Sequence, residues 1–391
     1  MDTHQTSPLP FARLFRWLAI LSLTAIATGV MVNWRYPYLM DFLSYWAAAV
    51  LAVSGSPADA YDVALHHAVQ QRAFAFDTKL PFGYPPPYLL LLVPLGLLPY
   101  ALSAGVWIAA TLAAYAAAVR RLMPDWAGAA IAFPPVAICG ISGQNGMLTA
   151  ALFMAGLSTL MMRPFVAGII FGCIAIKPQL GVLLPLAFIA GREWRAFAGA
   201  TVAVLMMIAA SLIAFGTAPW FGFLDQSTLF AAIATDGLVG WHKMASVYTS
   251  LRLAGLANEA AWALHVACAI AGAIAVWQVW RGTTDTLTRG AILAPASLLI
   301  SPYLYVYDQI LLIISLYWLA RQGISHTWLV PLYLLPLTTI AQFWTTNPTI
   351  NLAPLASVTA LLLIWRRVKP LSAQPDARPH QHDLRTEQSY Q

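Results

Sequence analysis

Apolar residues gather into long runs separated by short polar breaks, near 14–32, 102–119, 127–141, 146–162, 165–177, 179–190, 196–216, 260–280, 287–302, 308–320, 326–344 and 351–366. A helix needs about 20 apolar residues to cross a bilayer core of roughly 30 Å, so these runs predict transmembrane helices, the shorter ones tilted, broken or shielded by protein. The run 85–98 is short and proline-bounded, and is expected to lie at or dip into the outer face rather than cross. After Asp41, the residues Phe42, Tyr45, Trp46 and Ala49 fall at helical spacing. They predict a short amphipathic helix lying along the membrane surface.

Composition agrees with the pattern. Of 391 residues, 60% are hydrophobic and only 9% charged, far too few charges for a soluble domain of this length. The net charge of +6 sits in small Lys and Arg clusters at the ends of apolar runs, which sets membrane orientation and implies no basic groove for nucleic acid. Cys139, Cys173 and Cys268 lie in apolar runs without paired spacing, so neither a disulfide framework nor a zinc site is indicated.

The positive-inside rule places Arg13, Arg16, Arg120, Arg121, Arg163, Arg192, Arg195, Arg281, Arg289, Arg321, Arg366 and Arg367 in the cytoplasm, with both termini. The expected fold is an all-α, polytopic integral membrane protein of about twelve spans, with juxtamembrane helices in the first outer loop. Residues 1–369 form one domain, with outer loops at 35–101 and 217–258, followed by a polar, disordered cytoplasmic tail at 370–391. The remaining outer segments are the turns at 143–146, 177–179 and 301–308.

Chemistry gathers on that outer side. Lys177 is the lone charge in the apolar stretch 168–185, and an ammonium at such a place costs several kcal/mol unless it meets water or an anion. The alternative is a lysine at a helix end, marked by Pro178, snorkelling to water. Asp41, at the head of the first outer loop, is either a helix N-cap or a base. Asp62 sits in a turn-rich segment. His242 ranks ahead of Lys243 and Arg252 as an anion partner in the second outer loop, because its neighbours are aromatic and small. Gln144 and Asn145 either hydrogen-bond a ligand or satisfy a helix N-terminus. Tyr303, Tyr305, Tyr307 and Trp241 either stack on a ligand or belong to the interfacial aromatic belt.

The ordered set Asp41-Phe42 with Tyr45 and Ala49, Ala60-Tyr61-Asp62, Tyr84-Pro85-Pro86, Gly143-Gln144-Asn145, Lys177-Pro178-Gln179, and Ser301-Pro302-Tyr303 with Tyr307-Asp308 resembles the successive landmarks of glycosyltransferase family 87, within the GT-C superfamily. The resemblance runs from about residue 41 to 310. It implies a hexosyltransferase of the plasma (inner) membrane that moves a sugar, commonly mannose, from a polyprenyl-phosphate donor to a glycan or lipid acceptor hydroxyl on the outer, periplasmic face. Asp41 is similar in position to the family's catalytic aspartate. Lys177 would stabilise the leaving phosphate, and His242, Asp62, Tyr84, Gln144, Asn145, Gln179, Tyr303, Tyr307 and Asp308 would complete the substrate site. No cofactor is expected, and no metal, since the first outer loop lacks Asp-x-Asp and no His or Glu cluster has ligand spacing. The partners are then the lipid-linked donor, the acceptor and membrane lipids, without nucleic acid. The rivals are a transporter or flippase of lipid-linked saccharides and a noncatalytic subunit that binds polyprenyl phosphate.

Overall fold

The computed structural model describes residues 12–33, 41–75, 77–238, 240–341 and 350–368. The expected tail at 370–391, the start of the first outer loop and the end of the run 326–344 lie outside the described residues. Within them every regular element is helical, and the one β feature is an isolated antiparallel bridge between Met244 and Tyr305.

In chain order the α-helices are α1 (Ala12–Asn33), α2 (Phe42–Val53), α3 (Val63–Ala73), α4 (Pro86–Gly96), α5 (Tyr100–Leu122), α6 (Ala127–Ala132), α7 (Pro134–Ser142), α8 (Gly146–Leu160), α9 (Pro164–Gly172) and α10 (Pro178–Gly181). They continue with α11 (Leu184–Ala190), α12 (Trp194–Phe215), α13 (Ala218–Thr235), α14 (Val247–Leu253), α15 (Asn258–Gly282), α16 (Thr286–Ile300), α17 (Leu312–Arg321), α18 (His326–Leu334), α19 (Leu337–Ala341) and α20 (Ala353–Arg367). Each of the twelve apolar runs is mainly helical where it is described, several with a short break such as Phe133 in 127–141 and 182–183 in 179–190. Four helices are long and apolar enough to cross a membrane unaided, those at Arg13–Val32, Tyr100–Leu122, Trp194–Phe215 and Asn258–Gly282. A fifth is the pair Pro124–Ala132 and Pro134–Ser142, bent by 58°. Proline explains much of the interruption: Pro134, Pro164 and Pro178 each open a helix because a proline ring cannot continue the one before.

Helix packing uses small residues where backbones approach. Gly168 and Gly172, four apart on α9, rest against the backbone of Ala196 and Ala200 on α12, while Gly199 of α12 meets the carbonyl of Phe165. This is the close contact a membrane favours, since lipid tails give helices no hydrophobic reason to associate. The long helices turn large apolar side chains outward, Trp17 and Leu21 on α1 and Met206 and Ile213 on α12 among them, as a lipid-facing surface requires.

One expectation changes. Helix α2 is not an amphipathic surface helix: Phe42, Leu43, Ser44, Tyr45, Ala47, Ala48, Ala49 and Leu51 are buried, covering all its faces. The reason is aromatic. The Phe42 ring stacks 6.3 Å from Trp107, and Tyr45 meets Tyr84 and Tyr88 edge-on, both at 5.2 Å. Helix α3 and the strand-like segment before α4 close the remaining side. His66 donates from Nε2 to the Ser44 carbonyl (2.9 Å), and Gln70 donates to the Leu80 carbonyl (2.7 Å) and approaches His66 Nδ1 (3.1 Å). Such satisfied polar bonds hold a sequence-distant loop against a helix without water.

Candidate active site

The turn between α7 and α8 is the centre of the site. Gly143 adopts φ +68°, and a Cβ there would come within 2.5 Å of Phe42, so glycine is required both for the left-handed turn and for the approach to α2. Trp107 Nε1 donates to the Gly143 carbonyl at 2.9 Å and fixes the turn from the side of α5. The next two residues then point to two different charged groups.

Gln144 donates from Nε2 to Asp41 Oδ2 at 2.8 Å. Its Oε1 lies in a short contact with the Tyr45 hydroxyl and 3.2 Å from the Tyr84 hydroxyl, and the two hydroxyls stand 2.7 Å apart, so three oxygens share the two phenol hydrogens. The tyrosines thereby fix which end of the amide faces the carboxylate. Asp41 stands at the N-cap position of α2, yet its side chain makes no capping bond. The carboxylate is turned into the site instead. Burial raises its pKa above the ordinary carboxylate range, opposed by the Gln144 hydrogen bond and then by the charges of Lys243 and Lys177.

Asn145 faces the other way and accepts from Lys177 Nζ at 3.3 Å. Lys177 is buried, so it does not snorkel, and its anion within the protein is Asp308 Oδ1 at 2.5 Å. Its ammonium also lies 4.9 Å from the centre of the Tyr307 ring, which stacks on Tyr305 at 5.3 Å. Asp308 Oδ2 accepts from the Tyr305 amide (3.3 Å), so the turn following α16 is folded around the carboxylate. Two of the three ammonium hydrogens are used, by Asp308 and Asn145, and one is left. Close by, the Asn145 Nδ2 and Tyr88 hydroxyl are buried and face each other without a well-formed hydrogen bond. Buried polar groups satisfied only in part gain when a ligand or water meets them.

The second outer loop caps this region. Phe230 of α13 lies edge-on to Tyr303 at 5.7 Å and so close to Gly83 that no side chain fits there. Gln226 donates to the Tyr61 carbonyl. Ala245 donates its amide to the Leu304 carbonyl at 2.7 Å, and Asn351 Nδ2 holds the Met244 carbonyl at 2.7 Å, which sets Lys243 in place.

Of the residues singled out from sequence, Asp41, Tyr84, Gln144, Asn145, Lys177, Tyr307 and Asp308 are thus brought together, and Tyr303 is joined to Tyr305 by a 3.0 Å hydroxyl contact. Tyr307, being buried under Lys177, belongs to the site rather than to an aromatic belt. Asp62 does not join them: it is exposed and its Oδ1 caps α3, accepting from the Ala64 and Leu65 amides at 2.8 and 2.9 Å. Gln179 is half-buried with no side-chain hydrogen bond among the described residues. His242 folds back over Gly240, and burial and then Lys243 lower its pKa, which keeps the imidazole neutral. From this loop the charge of Lys243 also acts on Asp41 and lowers its pKa. Arg252 is spent on the Leu256 carbonyl (2.9 Å) and the Trp241 ring (4.6 Å). Sequence reading passed over Tyr45 and Tyr88 as site residues; the available signal was a phenol in an apolar helix, which needs a partner when buried.

Among the described residues no three His, Cys, Asp or Glu side chains are grouped as metal ligands would be. The sequence model of glycosyltransferase family 87 matches residues 82–302, more than half of the chain. Neither a curated protein nor a solved structure matches.

Proposed function

The chain belongs to glycosyltransferase family 87 and is a membrane glycosyltransferase, and from that premise we propose that it moves a hexose, mannose in the first instance, from a polyprenyl-phosphate donor to an acceptor hydroxyl, with Asp41 as the base. The observation that carries this reading is the Gln144-Asn145 pair, which holds the Asp41 carboxylate with one side chain and the Lys177 ammonium with the next. A base and a cation must face the same sugar from two sides, and one turn fixes both.

In the proposed reaction the acceptor oxygen attacks the anomeric carbon, the bond from that carbon to the phosphate oxygen breaks, and polyprenyl phosphate departs with the electron pair. Asp41 takes the acceptor proton. Its raised pKa makes it a stronger base than an exposed carboxylate. The leaving phosphate gains a negative charge and requires stabilisation rather than a proton. Lys177 offers its remaining N–H, while Asp308 holds the ammonium in position. Asn145 Nδ2 and the Tyr88 hydroxyl, buried and only partly satisfied by each other, would meet sugar hydroxyls. The reaction so written uses protein groups alone. The fuller architecture we propose is GT-C-like, with about twelve spans in the plasma membrane, both termini cytoplasmic, and the site opening to the outer leaflet where the prenyl chain enters between helices.

The test is transfer of labelled sugar from polyprenyl-phosphate-mannose in membranes carrying the wild-type chain or Asp41→Asn. Loss of a general base is expected to lower the rate by roughly 10²–10⁴. Equal transfer by both removes Asp41 as the base, and transfer by neither, with other polyprenyl-phosphate sugars active, overturns mannose.

A further inference from the structure

A cavity of about 810 Å³ lies at the other end of the bundle, where α11 ends and α15 turns into α16. It is lined by three arginines, Arg192, Arg281 and Arg289, together with Trp280, Thr283 and Thr284. Arg289 is buried and immobile: Nε donates to the Thr283 carbonyl (2.7 Å), Nη2 to the Trp280 carbonyl (3.0 Å) and Nη1 to Glu193 (2.7 Å), with the guanidinium 5.0 Å from the Trp280 ring. Three of its five N–H groups are spent, leaving one on each terminal nitrogen. Glu193 offsets one of the three positive charges. Arg192 and Arg281 are exposed, and no ion pair joins either to a carboxylate among the described residues.

Arg192 also occupies an unusual position. Helix α11 ends in a paired motif, with the Glu193 amide bonded to the Phe188 carbonyl at 2.8 Å, and Arg192 holds the left-handed residue at φ +55°. That position ordinarily takes glycine, and an arginine there bears strain that a purely structural helix end would avoid. The strained residue presents its cation to a cavity already rich in positive charge. Ile189 and Trp277, 40% and 36% exposed, line the same opening, so it is continuous with the lipid-facing surface at the level where helices end.

We propose that this cavity binds a phosphate-bearing anion, clasped by Arg192 and Arg281 over the fixed Arg289, with the Thr283 and Thr284 hydroxyls as further donors. Guanidinium forks suit the geometry of phosphate oxygens, and basic recesses between helix ends are where anionic headgroups dock. The proposal is independent of the transferase reading, because no residue of the Asp41 site takes part.

The experiment uses the full chain purified in a neutral detergent and its thermal unfolding midpoint, titrated with short-chain phosphatidylglycerol, inorganic phosphate, short-chain phosphatidylcholine, or sodium chloride at equal ionic strength. Phosphatidylglycerol is expected to raise the midpoint well beyond phosphatidylcholine or salt. In the double variant Arg192→Gly with Arg281→Ala, half-maximal stabilisation should need roughly thirtyfold more ligand, each cation near a headgroup being worth about a factor of five. Glycine suits the left-handed position, so the ligand-free variant should unfold no earlier than wild type on that account; if it fails to fold, Arg281→Ala alone should show a weakening of about fivefold. A response to phosphatidylglycerol alone assigns a lipid headgroup, and an equal response to inorganic phosphate assigns a free phosphate ion. The proposal is overturned if neither anion exceeds the neutral lipid and salt, or if the response survives the substitutions unchanged.

Discussion

Two buried ion pairs stand at opposite ends of helix α16. Near its start, Arg289 meets Glu193, whose side chain keeps 21% of its surface exposed; beyond its end, Asp308 meets Lys177, and both side chains are almost wholly covered, at 1% and 4%. The first pair uses a planar fork with two further donors taken by the carbonyls of two chain segments and one N–H left on each terminal nitrogen. It ties helix ends together in a place where water shares the cost of one charge. The second uses a compact ammonium with three donors, two of them taken. Buried pairs seldom repay their desolvation through stability alone, so a closed pair with a spare donor is better explained by work done on a ligand than by a contribution to the fold. The contrast teaches that the two cations, both almost wholly covered, differ in the exposure of their carboxylate partners, 21% for Glu193 and 1% for Asp308.

The largest expected effect comes from breaking the closed pair. Lys177→Met strands Asp308 and is expected to cost about 3–5 kcal/mol of stability, with transfer reduced by roughly 10²–10³. Adding Asp308→Leu should restore much of the thermal midpoint in detergent without restoring transfer. Recovery of both would assign Lys177 to the fold alone.

Next in size is the bond that orients the base. Gln144→Leu leaves Asp41 without its hydrogen bond, and misplacement of a reacting group costs up to about 10² in rate. The same bond lowers the Asp41 pKa against burial, so the acid limb of the pH–rate profile should already lie above the ordinary carboxylate range in wild type and move higher still in the variant. An acid limb that stays put in Gln144→Leu would argue that another group titrates.

A smaller effect extends the comparison to the buried histidine that pins α3 to α2. Burial first, with the nearby His67 adding, lowers His66 from 6.5 to about 4, while its bond to the Ser44 carbonyl opposes the shift. Between those values the unfolded chain takes up a proton that the folded chain refuses, so stability falls as pH drops from about 6.5 toward 4. The slope is at most about 1.4 kcal/mol per pH unit, and unfolding midpoints measured across that window should flatten in His66→Gln.

The smallest effect belongs to the open pair. Glu193→Gln leaves Arg289 its two carbonyl acceptors and an amide oxygen, so the loss in stability should stay near 1 kcal/mol, with transfer unchanged. A loss as large as that of Lys177→Met would erase the distinction between the two ends.

Much of this was legible in the chain itself. The apolar runs gave the helices, and the prolines at 134, 164 and 178 gave their breaks, because both depend on local pattern and backbone geometry. Lys177 was conspicuous as an isolated charge, and Asp41, Gln144, Asn145 and Asp308 were each picked out. What the chain did not display was who meets whom. Asp308 is 131 residues from Lys177, and Gln144 is 103 from Asp41. Helix α2 looked amphipathic because Phe42, Tyr45, Trp46 and Ala49 fall at helical spacing, and only the surrounding rings of Phe82, Tyr84, Tyr88 and Trp107 turned it into a core helix. His242 ranked ahead of Lys243 from its neighbours alone, and only the folded loop shows that the charge of Lys243 acts on Asp41.

The sequence by itself determined a helical membrane protein, its helix breaks and the inventory of polar groups, since hydropathy and proline act over a few residues. Tertiary structure alone decided that the carboxylate would face Gln144 instead of capping a helix, that the lysine's partner would be Asp308, and that two tyrosines would set the orientation of one amide. Those choices are made by contacts between segments a hundred residues apart, where burial removes water and leaves each polar group to whatever the fold brings within reach.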